Sequence, residues 1–591
     1  MTNNTARKNS QRDFLLAFLA ALFISFTGVW NHSLWRPDGA RVAGIAAEMA
    51  DSGNFIIPSL GELPFLEKPP LGYAAVALSI KLFGRSPGST RLPGALAGLA
   101  VLLLVFDLTR RLANSRAALY AVLALSTMWG FLSFEHRCVI DVWLPLFHLA
   151  AIWSLLRSQP PETTAEAPPK SRERWLLGSY LAIGLSFLIK GPIGPVLIIG
   201  PLLIWALKRP RDLLFKSPWH LLGLAILTLM VIAWPLMLLL QDRVLFQRFV
   251  LDNILYRVIA PTGAAAKSVG FGGHKSHSVL HYAAKLPIML LPWTFSILAA
   301  MPLLFRDALP PKWNRNSLRL LSFILFCGTL LLSLPATRRS LYLLPLLPFI
   351  APLLGCWFAL PAQHSEAPPE EPAWRRMIRS ARSQKLDLLV LGVVLGAACI
   401  ALLGVALILF SGHAPKRLIP HWKQLAPLPP ALTLCLLAVL AVFGLILVER
   451  SRALWLKRSP ALAPIVLGAA LTFALIHNLT VYPLFEPLST MSPLPARLIQ
   501  EQAFKKGLVG FWLDENAQGA IYFHTGHHVR SFAGPELESY LATHQGSMVL
   551  LRDKFLSLLT PSLKQRLHRR SSWRMRRKYV YVLFECVTPK K

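Results

Sequence analysis

Charge is scarce in this 591-residue chain, and negative charge is scarcest. Asp and Glu number 29 against 62 Lys and Arg, and charged residues make up 15% of the chain against 54% apolar ones. So little charge excludes an ordinary soluble globular protein. The shortage of acids leaves a formal net charge of +33. Basicity on that scale suits nucleic acid only where the cations gather on a soluble face. Here they sit in short loops between apolar runs, where they set membrane orientation, so nucleic acid is set aside as a partner. The same cations favour anionic lipid headgroups and phosphate-bearing substrates.

Cysteine is almost as sparse. The six cysteines (Cys138, Cys327, Cys356, Cys399, Cys435 and Cys586) form no CxxC or other close pair. Four of them fall inside apolar runs, where a thiol behaves as a small hydrophobe. Neither a disulfide framework nor a thiolate metal site is therefore indicated. A signal-peptide cleavage site is also missing: no small-residue motif follows the basic arm Arg7, Lys8 and Arg12, which reads as a retained signal-anchor.

What the chain does have is apolar runs of about 17–25 residues, each long enough to cross a bilayer as a helix. Spans are expected at 15–30, 92–108, 117–134, up to 156, 175–189, 193–207, 221–240, 279–305, 320–334, from 341, and at 386–410, 431–448 and 462–479. That makes about thirteen in all. The run Leu71–Phe83 is too short and is expected to lie at the interface or re-enter. From Thr480 on, apolar pieces such as VGFWL, AIYFH, SMVLL and YVYVLFE alternate between helix-like and strand-like character. The expected organisation is a membrane domain over 1–480 and a small α/β domain over 481–591. With the N-terminus cytoplasmic, cation-rich loops such as Arg110–Arg116 and Lys208–Lys216 fall inside, as the positive-inside bias requires. Asp38, Arg137, Asp141, Lys190, His274, Arg338 and the C-terminal domain then share the opposite face. The basic loop 413–423 and the basic patch 566–578 fit that bias least.

The first outer loop, 31–91, holds the most informative stretch: LWRPDGARVAGIAAEMADSGNFIIPSLGELPFLEKPP, residues Leu34–Pro70. It carries Asp38, Arg41, Glu48, Asp51, Glu62, Glu67 and Lys68, charges that a bilayer core would hold only at a cost. It reads as the floor of a reaction chamber. Asp38 before GARVAGIAAEM also reads as a helix N-cap, and Glu48 and Asp51 as helix-surface charges.

This stretch closely resembles the first outer loop of bacterial lipid-A aminoarabinose transferases and their relatives among the protein O-mannosyltransferases, which share the C-type glycosyltransferase membrane fold. The resemblance continues at RCVIDVWLP (Arg137–Pro145), GLSFLIKGPIGP (Gly184–Pro195), the 253–274 loop and RSLYLLP (Arg339–Pro345), and covers roughly residues 12–360. It implies a polytopic α-helical enzyme of the bacterial inner membrane that takes a sugar from a polyprenyl-phosphate donor at the periplasmic face. It also implies that Asp38 is the catalytic acid, with Asp141 second. Arg41, Lys190 and Tyr342 match further family positions. Where relatives carry an Asp-Glu pair, this chain has Asp38-Gly39, a departure that bears on the acceptor class.

Transfer from a lipid phosphate needs cations for the departing phosphate, and a carboxylate to position or deprotonate a hydroxyl acceptor. Arg41, Lys68, Lys190, Arg338 and Arg339 are the candidate cations. Arg338 and Arg339 also read as a helix-end anchor at lipid headgroups, and Glu67-Lys68 as a local ion pair. If the acceptor is itself a phosphate, a strong base is less necessary. No cofactor is required, though Glu67 with His274 is a candidate pair for a divalent metal. The expected partners are an undecaprenyl-phosphate-linked sugar donor, lipid A or a related envelope glycolipid as acceptor, and membrane lipids. The alternatives are a protein hydroxyl acceptor or, in another class, a transporter or flippase. Nothing in the sequence sets an oligomeric state.

Overall fold

The computed structural model describes residues 2–158 (except 36), 169–208, 217–255, 278–360 (except 279, 306–308, 311, 336 and 337), scattered positions from 468 to 490, and 491–587 (except 577 and 578). Helices dominate the first 360 residues. α1 (Thr2–Phe26) leads to α2 (Gly39–Ser52), a small antiparallel hairpin of β1 (Ser59–Leu60) and β2 (Leu63–Pro64), and α3 (Leu71–Phe83). α4 (Pro87–Leu112), α5 (Ser115–Ser126), α6 (Trp129–Glu135) and α7 (Trp143–Ser158) follow. Next come α8 (Pro169–Lys190), α9 (Ile193–Lys208), α10 (Trp219–Gln241) and the short α11 (Arg243–Gln247). After these come α12 (His281–Met289), α13 (Thr294–Ala300), α14 (Arg315–Ser333) and α15 (Ala351–Ala359).

Five of the segments among the described residues are long and apolar enough to cross a membrane, or seven if two bent pairs each count as one span. The spans expected at 386–410 and 431–448 lie outside the described residues, as does most of 462–479. α10 turns Leu221, Leu222, Leu224, Leu229 and Ile232 outward. A helix so apolar on its free side requires lipid around it.

Two expected spans are broken, for identifiable reasons. The run 117–134 bends by 63° between α5 and α6. There the Ser126 and Thr127 hydroxyls donate to the Leu123 carbonyl (3.1 and 2.7 Å), competing with the helix ladder. The run 279–305 is interrupted between α12 and α13, where Pro292 supplies no N–H. The expected span beginning at Leu341 starts as a 3-10 helix over Ser340–Ile350, because Pro345 and Pro348 each remove a ladder donor.

The C-terminal part holds α16 (Pro493–Gln500), β3 (Leu508–Phe511), α17 (Glu515–Thr525), β4 (Ser531–Phe532), α18 (Gly534–Thr543) and β5 (Met548–Arg552), then α19 (Pro561–Arg566), β6 (Leu567–Arg576) and β7 (Tyr579–Cys586). The strands form one sheet in the order β4-β3-β5-β7-β6, parallel around β3 and antiparallel around β7. VGFWL, SMVLL and YVYVLFE supply strands, whereas AIYFH lies within α17, which the Asp514 side chain starts by accepting from the Ala517 amide. The basic patch around 566–578 is largely the edge strand β6, where cations discourage further pairing.

This sheet unit docks on the first outer loop through α2 and α17. A Cβ on Gly44 would meet the Gly519 carbonyl oxygen at 2.7 Å, and one on Gly519 would meet the Arg41 Cα at 2.9 Å. Only glycine at both positions lets the two backbones cross this closely. Glu48, expected on a helix surface, is instead buried. It accepts from Ser59 Oγ (2.9 Å) and the Gly61 amide (2.7 Å), pinning the hairpin to α2. Asp51 is exposed as expected and takes hydrogen bonds from Tyr522 and Arg85. Glu135 and His136, expected in an outer loop, are buried, and Glu135 accepts from Ser25 of α1 at 2.6 Å.

Candidate active site

Asp38 stands at the N-cap position of α2, but its side chain makes no capping bond. The carboxylate is spent elsewhere. Arg41, one turn on, donates from Nη2 to Oδ1 at 2.9 Å, and Arg339 pairs with Oδ2 from the start of the 3-10 segment. Burial alone would raise this carboxyl, but the two guanidiniums hold it below the usual carboxylate range. Asp38 is therefore ionised at any physiological pH. The segment before it is fixed by the buried Arg91 of α4, which donates to the carbonyls of Val29, His32 and Ser33.

Arg41 is the junction of the site. Its Nη1 donates to Glu67 Oε2 (3.0 Å) and to Glu515 Oε2 (2.6 Å), while Lys68 Nζ takes the other Glu67 oxygen at 2.9 Å. The Glu67-Lys68 ion pair expected from the sequence is present, but Glu67 also bridges to Arg41. On the other flank, Asp141 lies in a 3-10 turn (Ile140–Val142) ahead of α7 and pairs with Lys190 at the end of α8. The Lys190 ammonium lies 3.8 Å from the centre of the Tyr342 ring, within cation–π range. The α8 helix stops just there because Gly191 takes a left-handed φ of 69° and Pro192 follows.

Two cavities flank these charges. One of about 330 Å³ runs between Glu67, Lys68, Lys190 and Tyr342 at its polar end and Val196, Leu197, Leu331 and Leu334 along its apolar wall. A charged end on an apolar groove suits a lipid carrying an anionic headgroup. The other, of about 50 Å³, is bounded by Asp38, His32, Arg91, Arg137 and Arg339. Burial, with help from Arg91, pushes the His32 imidazolium down to about 2, so the ring there is neutral.

The structure thus brings together Asp38, Arg41, Glu67 and Lys68, and gathers Asp141, Lys190 and Tyr342 beside them. The Arg338 guanidinium donates to the Ser333 carbonyl (2.8 and 3.1 Å), and the neighbouring Arg339 is the arginine that reaches Asp38. The sequence signal for Arg339 was its place at the head of RSLYLLP. Glu515 carried no signal beyond its place at a helix start. His274 lies outside the described residues. Among the described residues no group of three His, Cys, Asp or Glu could hold a metal ion. Glu67 gives one oxygen to Arg41 and the other to Lys68, so an ion bound there would have to displace them.

Residues 67–237 match the family described as dolichyl-phosphate-mannose-protein mannosyltransferase. An undecaprenyl phosphate-alpha-4-amino-4-deoxy-L-arabinose arabinosyl transferase of Shewanella sediminis is 32% identical over 199 residues, 33% of this chain and 35% of that protein. A second, from Pseudomonas fluorescens, is 29% identical over 357 residues, 58% of this chain and 57% of that protein. The chain thus spans about a third to three-fifths of the length of these curated relatives. The crystal structure of ArnT from Cupriavidus metallidurans bound to undecaprenyl phosphate superposes with a TM-score of 0.68 at 20% identity, covering 97% of this chain and 98% of that one. The fold is therefore that of a polytopic α-helical membrane protein with a β-rich C-terminal domain. In sequence and in fold, this chain resembles the superfamily of arabinosyl and mannosyl transferases to which these proteins are assigned.

Proposed function

We propose that this chain is a glycosyltransferase that moves a sugar from an undecaprenyl-phosphate donor to lipid A or a related envelope glycolipid. One observation carries the reading: an ionised, arginine-held Asp38 beside an apolar cavity whose charged end presents Lys68 and Lys190. The polyprenyl chain lies along the apolar wall. The donor phosphate meets the two lysines, with Asp141 holding Lys190 in place. This assigns Asp141 to positioning rather than to the reacting atoms. As the glycosidic C–O bond breaks, the phosphate oxygen takes up charge that the lysines neutralise, and the acceptor oxygen enters from the opposite side with inversion.

A carboxylate held this acidic is a weak base, but it can orient the sugar and stabilise positive charge developing at the anomeric carbon. A phosphate acceptor, already ionised near neutral pH, fits such a site better than a hydroxyl that must lose its proton. The small cavity bounded by Arg137 and Arg339 gives that acceptor an approach to Asp38. A protein hydroxyl acceptor is the second reading, favoured by the mannosyltransferase match at 67–237. No step here depends on a metal ion. The full topology in this reading has about thirteen spans, the membrane domain over 1–480 and the remainder periplasmic. The N-terminus is then cytoplasmic and the site faces the periplasm of the inner membrane.

The test is mass spectrometry of the lipid A fraction from cells with the chain, without it, and with Asp38→Asn. One sugar residue gained with the wild type and lost in the other two supports the reading. Unchanged lipid A, with a sugar gained on envelope protein, overturns the acceptor in favour of the second reading.

A further inference from the structure

Glu515 comes from the C-terminal unit, yet it sits inside the charge network. Asp38, Glu67, Asp141 and Glu515 face Arg41, Lys68, Lys190 and Arg339, so the formal charges of the named pairs cancel. An incoming phosphate adds negative charge to a network whose named pairs already cancel. The least costly response is release of the carboxylate that water can best receive. The Glu515 side chain is 46% exposed, against 25% for Glu67 and 10% for both Asp38 and Asp141.

The connectivity gives a route. A phosphate at Lys68 competes with Glu67 for that ammonium, and a Glu67 drawn more strongly to Arg41 weakens that guanidinium's electrostatic hold on Glu515. Glu515 and Gly519 lie one turn apart on the same face of α17. Since Gly519 is packed against the Arg41 backbone, Glu515 can leave by side-chain rotation while the helix stays docked.

We propose that Glu515 is a resident counter-anion: it holds Arg41 until a phosphate-bearing substrate enters, then yields, and so sets the affinity for that substrate. The inference rests on the donor-groove reading above. Glu515 acts through Arg41 and is a positioning residue.

The test uses the full chain in lipid nanodiscs with undecaprenyl phosphate as the probe. Affinity and thermal midpoint are measured for the wild type, Glu515→Gln, Glu515→Ala and Lys190→Ala. Removing the competing charge should tighten probe binding by about three- to fivefold in both Glu515 variants, the most that a half-exposed ion pair is worth. Their thermal midpoints should fall without the probe and rise more than the wild type's when it is added. A merely structural role would lower the midpoint and weaken binding together. Equal or weaker binding by both Glu515 variants, with Lys190→Ala impaired, overturns the role of Glu515 alone. A wild type that does not bind the probe, or binds it no better than Lys190→Ala, overturns the donor groove and this inference with it.

Discussion

Arg339 reaches back across 301 positions of sequence to pair with Asp38, while Arg338 beside it turns to the Ser333 backbone carbonyl at the end of α14. Two adjacent arginines therefore have separate duties. One closes the site, and the other ties the end of α14 to the start of the next segment.

Arg339→Ala should lower kcat/KM for sugar transfer about ten- to a hundredfold, because it leaves a buried carboxylate short of a partner. Arg338→Ala should cost much less than that. Steady-state transfer with purified donor compares the two; equal losses would place both arginines at a helix-end anchor instead. Arg339→Lys should recover only part of the loss, since an ammonium cannot reproduce the two-pronged guanidinium contact.

Asp38→Asn should reduce transfer by about a hundredfold or more while leaving the protein in the membrane at normal abundance. Immunoblotting of membrane fractions beside the transfer assay separates lost chemistry from lost protein. Full activity in a properly inserted variant would remove Asp38 from the reacting centre.

The folded-state pKa of Asp38 lies below its ordinary value of 3.8. The stabilisation from its arginines is therefore complete above that pH and is lost as pH falls through the lower, folded-state value. Melting temperatures taken between about pH 3 and pH 6 should fall more steeply for the wild type than for Asp38→Asn below about pH 4. Parallel curves would mean that the carboxylate is not held by charge.

Lys190→Ala and Asp141→Asn should each weaken binding of undecaprenyl phosphate, by about tenfold for the lysine and less for the aspartate that orients it. The double variant should be scarcely worse than Lys190→Ala, because the aspartate acts through the lysine. Additive losses would indicate separate contacts with the ligand.

Gly519→Ala should destabilise docking of the C-terminal unit by about 1–3 kcal/mol, the usual cost of forcing a methyl into a filled contact. Limited proteolysis of the C-terminal unit should become faster, and transfer should fall because Arg41 is displaced. Gly526→Ala is the control. A Cβ there would meet nothing within 4 Å, and the φ of 71° confines the strain to the end of α17.

Much of this arrangement was legible in the sequence. The polar stretch Leu34–Pro70 stood out against its apolar surroundings, and RCVIDVWLP, LIKGP and RSLYLLP marked where other chain segments meet it. The bends at Thr127 and Pro292 were not legible, because apolar length says how far a segment can reach and not whether it stays straight. Glu48 misled for a related reason: helical spacing cannot show that a hairpin folds back over a glutamate and buries it. Glu515 was out of reach altogether, since its contact with Arg41 spans 474 positions and arises from tertiary packing alone.

The crossing of Gly44 and Gly519 has a consequence for biosynthesis. A chain grows from its N-terminus, so the loop bearing Asp38 and Arg41 is made long before α17 is translated. The two helices can meet only once that later segment has been made. Completion of the charge network is thus a late event in assembly, and a ribosome stalled before Glu515 yields a chain whose Arg41 still lacks its last carboxylate.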